Sequence, residues 1–551
     1  MSWTATGGGS RPSLLWRTRD ELKSLIVLAR AGFIGPETPR RFLRILRTLH
    51  EYGPFGAAGR IAAIRHGDQP AISDEIGEIT FGEMEEQTNR LTNAFAARGL
   101  DSGSTIGILC RNHRMPLIAA FAASRAGVTA VWLNTAFSVR QAREVIEREG
   151  VELLVHDAEF TGLAESIELK FGRMVCFAEN GDGTGIESAI SAASAELPPP
   201  PQKPGRIVLL TSGTTGTPKG APRPEPRSLT IPGALLERMP MRSREATVIG
   251  APVYHGTGLV LALISIALGS KIVLRRQFDA ATFLSDIEHH RAGTVCVVPV
   301  MLQRVLALGD DEIERRDLGS LRVVFCAGSQ LPGTVARRAM DRLGDVIYNL
   351  YGSTEVSVAT LATPADLRSA PTCVGRPALG SRVRVLDERG EPVEPGRIGR
   401  IYVGTSSPFE GYTGGGGKDM VDGLLSSGDL GHFDAEGRLF IDGRDDEMIV
   451  SGGENVYPHE VEETLMRHPA LADVAVVGVE DEEFGQRLRA FVVLAAGQDA
   501  TEAAVKQFVR ANLATYKAPR EVVFLDDLPR NPTGKILKRE LPGQGESGGF
   551  S

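Results

Sequence analysis

The segment Thr211-Ser212-Gly213-Thr214-Thr215-Gly216-Thr217-Pro218-Lys219-Gly220 consists almost wholly of hydroxyl residues and glycines, with one lysine near its end. It follows an apolar stretch, 207–210, that reads as a buried strand. Glycines let backbone amides turn toward one point, hydroxyls add donors, and the lysine adds a mobile positive charge. Together they form an anion cradle suited to a polyphosphate. It is not a Walker loop, which needs four residues between glycines and then Gly-Lys-Ser/Thr. Here Lys219 follows a proline, and Gly534-Lys535 has Pro529 where the earlier glycine belongs and Ile536 behind it.

Four more segments follow in order: Tyr351-Gly352-Ser353-Thr354-Glu355, Ser427-Gly428-Asp429, Gly443-Arg444 and Pro529-Arg530-Asn531-Pro532-Thr533-Gly534-Lys535. With the loop they resemble, in order and spacing from about residue 60 to 541, the motifs of the adenylate-forming superfamily. That superfamily comprises acyl-CoA synthetases, peptide-synthetase adenylation domains and firefly-type luciferases. The resemblance implies two half-reactions. A carboxylate attacks the α-phosphate of ATP, giving acyl-AMP and pyrophosphate, and a thiol then attacks the acyl carbon and expels AMP. Both steps need alignment and charge stabilisation more than acid–base chemistry.

The same resemblance assigns roles. Thr211, Ser212, Gly213, Thr214, Thr215, Gly216 and Lys219 would wrap the β- and γ-phosphates. Thr354 would meet the α-phosphate, and Glu355 would hold Mg²⁺, a hard cation suited to carboxylate and phosphate oxygens. Tyr351, followed by Gly352, would offer its ring to adenine, with Gly328-Ser329-Gln330 on the other side and Asn349 near the base's amino group. Asp429 would accept both ribose hydroxyls while Arg444 donates to the same sugar. Lys535 would reach the α-phosphate and the substrate carboxylate, and Asp446 would be the pivot of a swinging C-terminal unit. Gly452, Gly453 and Glu454 would border the CoA pantetheine tunnel, where absent side chains leave room for a thin arm. His255, in Pro252-Val253-Tyr254-His255-Gly256, would lie beside the acyl carboxylate, in a positioning role rather than as a base. One motif departs from the pattern: the aromatic residue usual before the ribose motif is Leu425, and its threonine is Ser427.

The function so implied is an ATP-dependent acyl-CoA synthetase, with a fatty acid the favoured substrate and ATP, Mg²⁺ and CoA as cofactors. The alternatives are an acyl-AMP ligase loading a carrier protein and a non-catalytic acyl or nucleotide sensor. The run Gly452-Gly453-Glu454-Asn455-Val456-Tyr457-Pro458 resembles CoA ligases most.

Composition agrees. The chain has 551 residues, 42% apolar and 24% charged, with a net charge of −8, so nothing calls for nucleic acid as a partner. Its five cysteines never stand as C-x-x-C, and its ten histidines include no H-E-x-x-H. This spacing argues against a disulfide framework and a cysteine-based zinc site, and fits a reducing cytoplasm. The longest largely apolar run, 259–268, is too short to span a bilayer, which takes about 20 residues. The N-terminus does not read as a secretory signal.

The elements behind these motifs alternate. Strands are expected at 105–110, 128–133 and 151–156 with helices at 117–125 and 138–149, so the large part is α/β with parallel strands. Thr80-Phe81-Gly82-Glu83 reads as a capping box that opens a helix ending at Gly99. Short β-rich runs between Gly/Pro turns over 381–445 predict an antiparallel subdomain, and a compact α+β unit follows. The expected domains are an N-terminal extension (1–55, disordered to about residue 20, then helical), an adenylation domain of parallel and mixed sheets (56–445), a mobile C-terminal domain (446–541) and a disordered tail (542–551). Residues 40–47 interleave arginines with apolar residues, which fits either a peripheral membrane helix or a solvated helix packed on the domain.

Overall fold

The computed structural model describes residues 14–177, 185–211, 219–223, 228–406, 409, 411–413, 415–445, 447, 449–451, 454–481, 485–532 and 534–543. Helices Leu14–Arg30 and Pro39–His66 open the chain. The first begins inside the stretch expected to lack structure. The second runs past residue 55, the expected end of the N-terminal extension, and Gly53, at φ 68°, takes up a kink immediately before Pro54. Thr80 and Glu83 form the expected capping box on the helix Phe81–Ala97.

The alternating region forms a six-stranded sheet in the order Arg173–Cys176, Leu153–Asp157, Thr105–Leu109, Thr129–Trp132, Ile207–Thr211, Lys219–Arg223. Its first five strands are parallel, and the last turns back as a hairpin. A nine-stranded sheet runs beside it. Six of its strands are parallel: Ile347–Ser353, Val323–Cys326, Thr294–Val297, Thr247–Ile249, Ile272–Leu274 and Pro70–Asp74. One continuous apolar core joins the two, with Ile106, Ile108 and Phe121 in contact with the cluster that holds Ile72 and Val273.

The β-rich subdomain is an antiparallel sheet of Ser381–Leu386, Gly399–Thr405, Leu424–Phe433, Met420–Val421 and Leu439–Arg444. Its long strand Leu424–Phe433 escaped the sequence pattern because the Ser-Ser-Gly-Asp at its centre looks like a turn. In the structure, cross-strand pairing overrides that local preference. The C-terminal unit carries a further sheet with helices Pro458–Leu465 and Glu502–Asn512.

The turn at residues 110–114 ties the two parallel sheets together through buried polar contacts. Arg114 forms a buried fork on Asp74 of the nine-stranded sheet, with Nε 2.9 Å from Oδ2 and Nη2 2.5 Å from Oδ1. Burial pushes the Asp74 carboxyl up, but Arg114 outweighs it and leaves the group below its ordinary value. Asn112, 5% exposed, accepts from Val253 N at 2.8 Å and donates to Ala251 O at 2.9 Å. All five cysteines are free and buried. However, Cys110 and Cys176 lie 3.4 Å apart across sequence-distant strands, a proximity that no spacing rule detects.

Replacing Asn112 with alanine strands a buried amide and a buried carbonyl, which costs on the order of 2–5 kcal/mol. Asn112→Ala is therefore expected to lower the thermal midpoint and to raise KM for the acid more than KM for ATP. Equal changes in both KM values would show that this turn does not place residues 251–255.

Candidate active site

Parallel strands release their C-terminal loops on one edge, and ligands of such sheets bind there. On the nine-stranded sheet that edge collects, from neighbouring strands, residues 250–255, 298–300, 328–330 and 351–356. Asn349, 4% exposed, sits in register with Cys326 just before it.

Tyr351 and Glu355 belong to a tight antiparallel hairpin. A Cβ on Gly352 would lie 1.9 Å from Ser357 O, and Ser357 takes φ 60°, so only glycine lets the strands close here. At its tip Glu355 is 9% exposed. Ser353 Oγ donates to one carboxylate oxygen at 2.7 Å and Tyr412 Oη to the other at 2.8 Å. Burial raises the Glu355 pKa, but the two hydroxyls and the charge of Lys418 prevail and hold the carboxyl below its ordinary value, so it is ionised at neutral pH. Burial and the Glu355 anion push the Tyr412 phenol up. Lys219 Nζ stands 5.2 Å over the Tyr412 ring, and Thr413 N donates to Gly220 O at 2.9 Å. A Cβ on Gly220 would strike the Thr413 hydroxyl, so the end of the threonine–glycine loop is clamped against this segment.

The strands flanking the loop form a hairpin: Ile207–Thr211 pairs with Lys219–Arg223, Thr211 opposite Lys219. Its tip, with Ser212, Gly213, Thr214, Thr215 and Gly216, lies outside the described residues, as do Asp446, Gly452 and Gly453. Glu454 opens the strand Glu454–Val456.

Asp429 and Arg444 are register partners on adjacent strands, Arg444 Nη1 3.1 Å from Asp429 Oδ1. Tyr351 Oη donates to the other oxygen at 2.5 Å, so the residues assigned to adenine and ribose are joined. Burial and the Asp429 charge push the Tyr351 phenol well up. Ser427, 3% exposed, spends its hydroxyl on Ile401 O (3.1 Å) and on accepting the Asp429 amide (3.1 Å). It thus shapes the strand that carries Asp429. Lys418 Nζ donates to Ser427 O at 2.6 Å.

His255 caps the apolar helix Gly256–Ala267, its Nδ1 3.5 Å from Thr257 N. Burial drops its pKa to about 4, so the ring is neutral at physiological pH. This agrees with a positioning role more than with a base poised near 7. Burial lifts the neighbouring Tyr254 to about 12. Gly328 takes φ 97° just past the strand Val323–Cys326, and Gln330 reaches His459 of the C-terminal unit. The Lys535 loop lies at the same edge: a Cβ on Gly534 would meet Val300 at 2.7 Å and Val298 at 3.3 Å. Within that loop Lys535 N donates to Asn531 Oδ1 at 2.9 Å. Thr354, half-buried in the hairpin turn, completes the set.

Sequence reasoning missed Tyr412, Lys418, Ser353 as a partner of Glu355, and Asn112. A Gly-Tyr-Thr triplet in a glycine-rich stretch is the only local signal for Tyr412. Its role shows only when the hairpin carrying Glu355 and the end of the 211–220 loop are brought to either side of it.

Tyr412→Phe keeps the ring beneath Lys219 but removes one donor from Glu355. The carboxyl is expected to titrate higher, moving the acid limb of the pH–rate profile to higher pH. An unmoved limb would mean that Tyr412 does not tune Glu355.

Comparison with known proteins agrees with this geometry. Residues 60–413 match the AMP-binding enzyme family and residues 460–535 the AMP-binding enzyme C-terminal domain. A feruloyl-CoA synthase from Amycolatopsis sp is 32% identical over 87% of this chain and 95% of its own. A fatty acid–[acyl-carrier-protein] ligase, ScoC, from Streptomyces coeruleorubidus is 30% identical over 86% of this chain and 92% of its own. The structure of o-succinylbenzoate CoA synthetase from Bacillus subtilis, in complex with its acyl-adenylate intermediate, superposes with a TM-score of 0.76. It is 26% identical and covers 88% of this chain and 97% of that one. The chain therefore belongs to the AMP-binding enzymes, as an adenylate-forming ligase of the acyl-CoA ligase family.

Proposed function

We propose that the protein activates a carboxylic acid with an uncharged apolar body, a fatty acid in the first instance, and passes the acyl group from AMP to CoA. The observation that carries the reading is the linked set Lys219–Tyr412–Glu355 beside Tyr351–Asp429–Arg444, with the Lys535 loop packed on the same edge. In this reading the 211–219 loop grips the phosphates, Asp429 and Arg444 hold the ribose, and Lys535 neutralises charge at the α-phosphate as the acid attacks. Thr354 contacts that same phosphate. Gly328, Ser329, Gln330, Asn349 and Tyr351 enclose the base. The ionised, hydroxyl-flanked Glu355 suits a hard cation, and Mg²⁺ held there would offset phosphate charge.

The choice of acid rests on the surroundings of His255. Its ring and Tyr254 are both neutral at pH 7, and Val253 and Leu259 beside them are buried and apolar. Such a wall suits a fatty or aryl acid better than a dicarboxylate. Feruloyl-CoA synthase and the fatty-acid ligase mark the two sides of that choice among the relatives. Thiolation would place Gly452, Gly453 and Glu454 along the pantetheine after the C-terminal unit turns at Asp446. The five free thiols support a reducing compartment, in keeping with the cytoplasm.

Pyrophosphate release over C2–C20 and aryl acids tests the substrate class, and identifying the thioester formed with CoA or with a carrier protein tests the acceptor. Release that needs no acid, or none with any acid, would sink the reading and favour a sensor. Lys535→Ala is expected to slow acyl-AMP formation by about 10²–10³ while sparing thioester formation from supplied acyl-AMP. Equal loss in both steps would remove Lys535 from its role.

A peripheral membrane contact is also part of the proposal. No helix among the described residues is long and apolar enough to cross a membrane. Yet Leu22, Leu25 and Ile26 are exposed on the first helix, and Phe42, Leu43 and Leu46 on the second, which also exposes Arg40, Arg41, Arg44 and Arg47. Such a basic, apolar surface on an acidic protein suits anionic lipid. The protein is expected to sediment with phosphatidylglycerol vesicles but not phosphatidylcholine, and Phe42→Ser/Leu43→Ser should abolish this. No sedimentation with anionic vesicles would refute the contact.

A further inference from the structure

The turn that joins the two parallel sheets also closes a cluster that the ligase chemistry does not use. Cys110 ends the strand Thr105–Leu109, Asp157 ends Leu153–Asp157, and Cys176 ends Arg173–Cys176. The three strands are neighbours. Asp157 pairs with Cys176, and Cys110 comes one residue after the Leu109–His156 pair, so the three side chains emerge at one level on one face. His113, the N-cap of the helix Arg114–Ala126, swings in above them with Nε2 2.7 Å from Asp157 Oδ1. Cys176 Sγ is 3.3 Å from the same oxygen and 3.4 Å from Cys110 Sγ. All four donor atoms lie within 4.8 Å of one another, and all four side chains are at most 1% exposed.

We propose that Cys110, His113, Asp157 and Cys176 form a closed structural site for zinc. Two thiols, an imidazole and a carboxylate are a zinc donor set. Tetrahedral zinc, with bonds of about 2.3 Å to sulfur and about 2.0–2.2 Å to nitrogen or oxygen, spaces its ligand atoms roughly 3.3–3.8 Å apart. The cluster reaches that geometry through side-chain shifts alone. A disulfide does not fit the same atoms. The strand Leu153–Asp157 separates the two cysteine-bearing strands, so the Cα atoms stand two strand spacings apart, roughly 9 Å, and a disulfide spans at most about 7 Å.

The surroundings suit a metal as well. The two thiol protons are lost on binding, and the proton that His113 Nε2 presents to Asp157 is displaced as well, so that Nε2 binds as part of a neutral ring with its proton on Nδ1. The cost is that hydrogen bond and one long contact, that of Met115 N with Nδ1 at 3.3 Å. Two thiolates and a carboxylate then exceed the zinc charge by one. Arg276, paired with Glu159 at 2.5 Å, also has Nη2 3.7 Å from Asp157 Oδ2 and its guanidinium 4.1 Å over the Phe177 ring, so it meets part of that excess. Arg111 N donates to Asp157 Oδ2 at 2.9 Å and orients the carboxylate from behind. With four protein ligands and no solvent access the site is structural. What it secures is the turn whose Asn112 holds residues 251–253 next to His255. The sequence rule that argued against thiol-based zinc looked for C-x-x-C, whereas the chain carries C-x-x-H at 110–113 and takes its other ligands from two later strands.

The test uses the full chain, purified under reducing conditions, stripped with chelator, reloaded with Zn²⁺ or Co²⁺ and dialysed. About one zinc per chain is expected, with a rise in thermal midpoint over the stripped protein. Co²⁺ should give thiolate-to-metal charge transfer and the ligand-field bands of a tetrahedral site. The double variant Cys110→Ser/Cys176→Ser should retain almost none. Failure of the wild type to retain zinc, a cobalt spectrum without thiolate charge transfer, or equal zinc in the double variant would each overturn the proposal. If the variant does not fold, the wild-type cobalt spectrum decides alone. None of these readouts depends on which acid the enzyme uses.

Discussion

Two parallel sheets have to present their C-terminal edges to one space, and the turn at residues 110–114 is the constraint that makes them do so. Its side chains divide the work. Arg114 grips Asp74 in the nine-stranded sheet, Asn112 holds the backbone of Ala251 and Val253, and Cys110 and His113 face the edge of their own sheet. Each bond is buried, so breaking one strands a polar group without water. That rigidity matters because a ligase of this kind accelerates its reaction by alignment, and an error of about 1 Å in placing the acid is costly.

Within that frame, negative charge is managed by hydroxyls. Glu355 and Asp429 are the carboxylates of the site, and each takes a tyrosine hydroxyl, Tyr412 and Tyr351 respectively. Neutral donors stabilise the ionised form without cancelling its charge, so both carboxylates remain available to a cation or a sugar. Arg444 and Lys418 add positive charge nearby, and Lys219 stacks over the Tyr412 ring. Lys219 and Glu355 therefore share Tyr412, and a change at that residue is felt by both.

Among the described residues, the C-terminal unit meets this system at several points, Tyr457 against Gly443 among them. Gln330 meets His459, and Gly534 packs on Val298 and Val300. Its own interior is tied more firmly: Lys538 binds both Glu447 and Glu462, and Arg530 binds Asp473.

Much of this was legible in the residues. Hydrophobic alternation between 105 and 157 and the capping box at Thr80 each express short-range physics, and each appears in the structure as read. Motif order located Tyr351, Glu355, Asp429 and Arg444, because a binding residue needs its neighbours in sequence to set the local backbone. What tertiary structure alone decided are meetings across long separations: Tyr412 with Glu355 over 57 residues, Asn112 with Val253 over 141, Cys110 with Cys176 over 66. Local propensity also misread the Ser-Ser-Gly-Asp strand, since its conformation is imposed by the partner strands on either side. Periodicity reports which face of an element is buried, and motifs report which atoms can bind. Neither encodes which two distant edges the twist and order of the sheets will bring into contact.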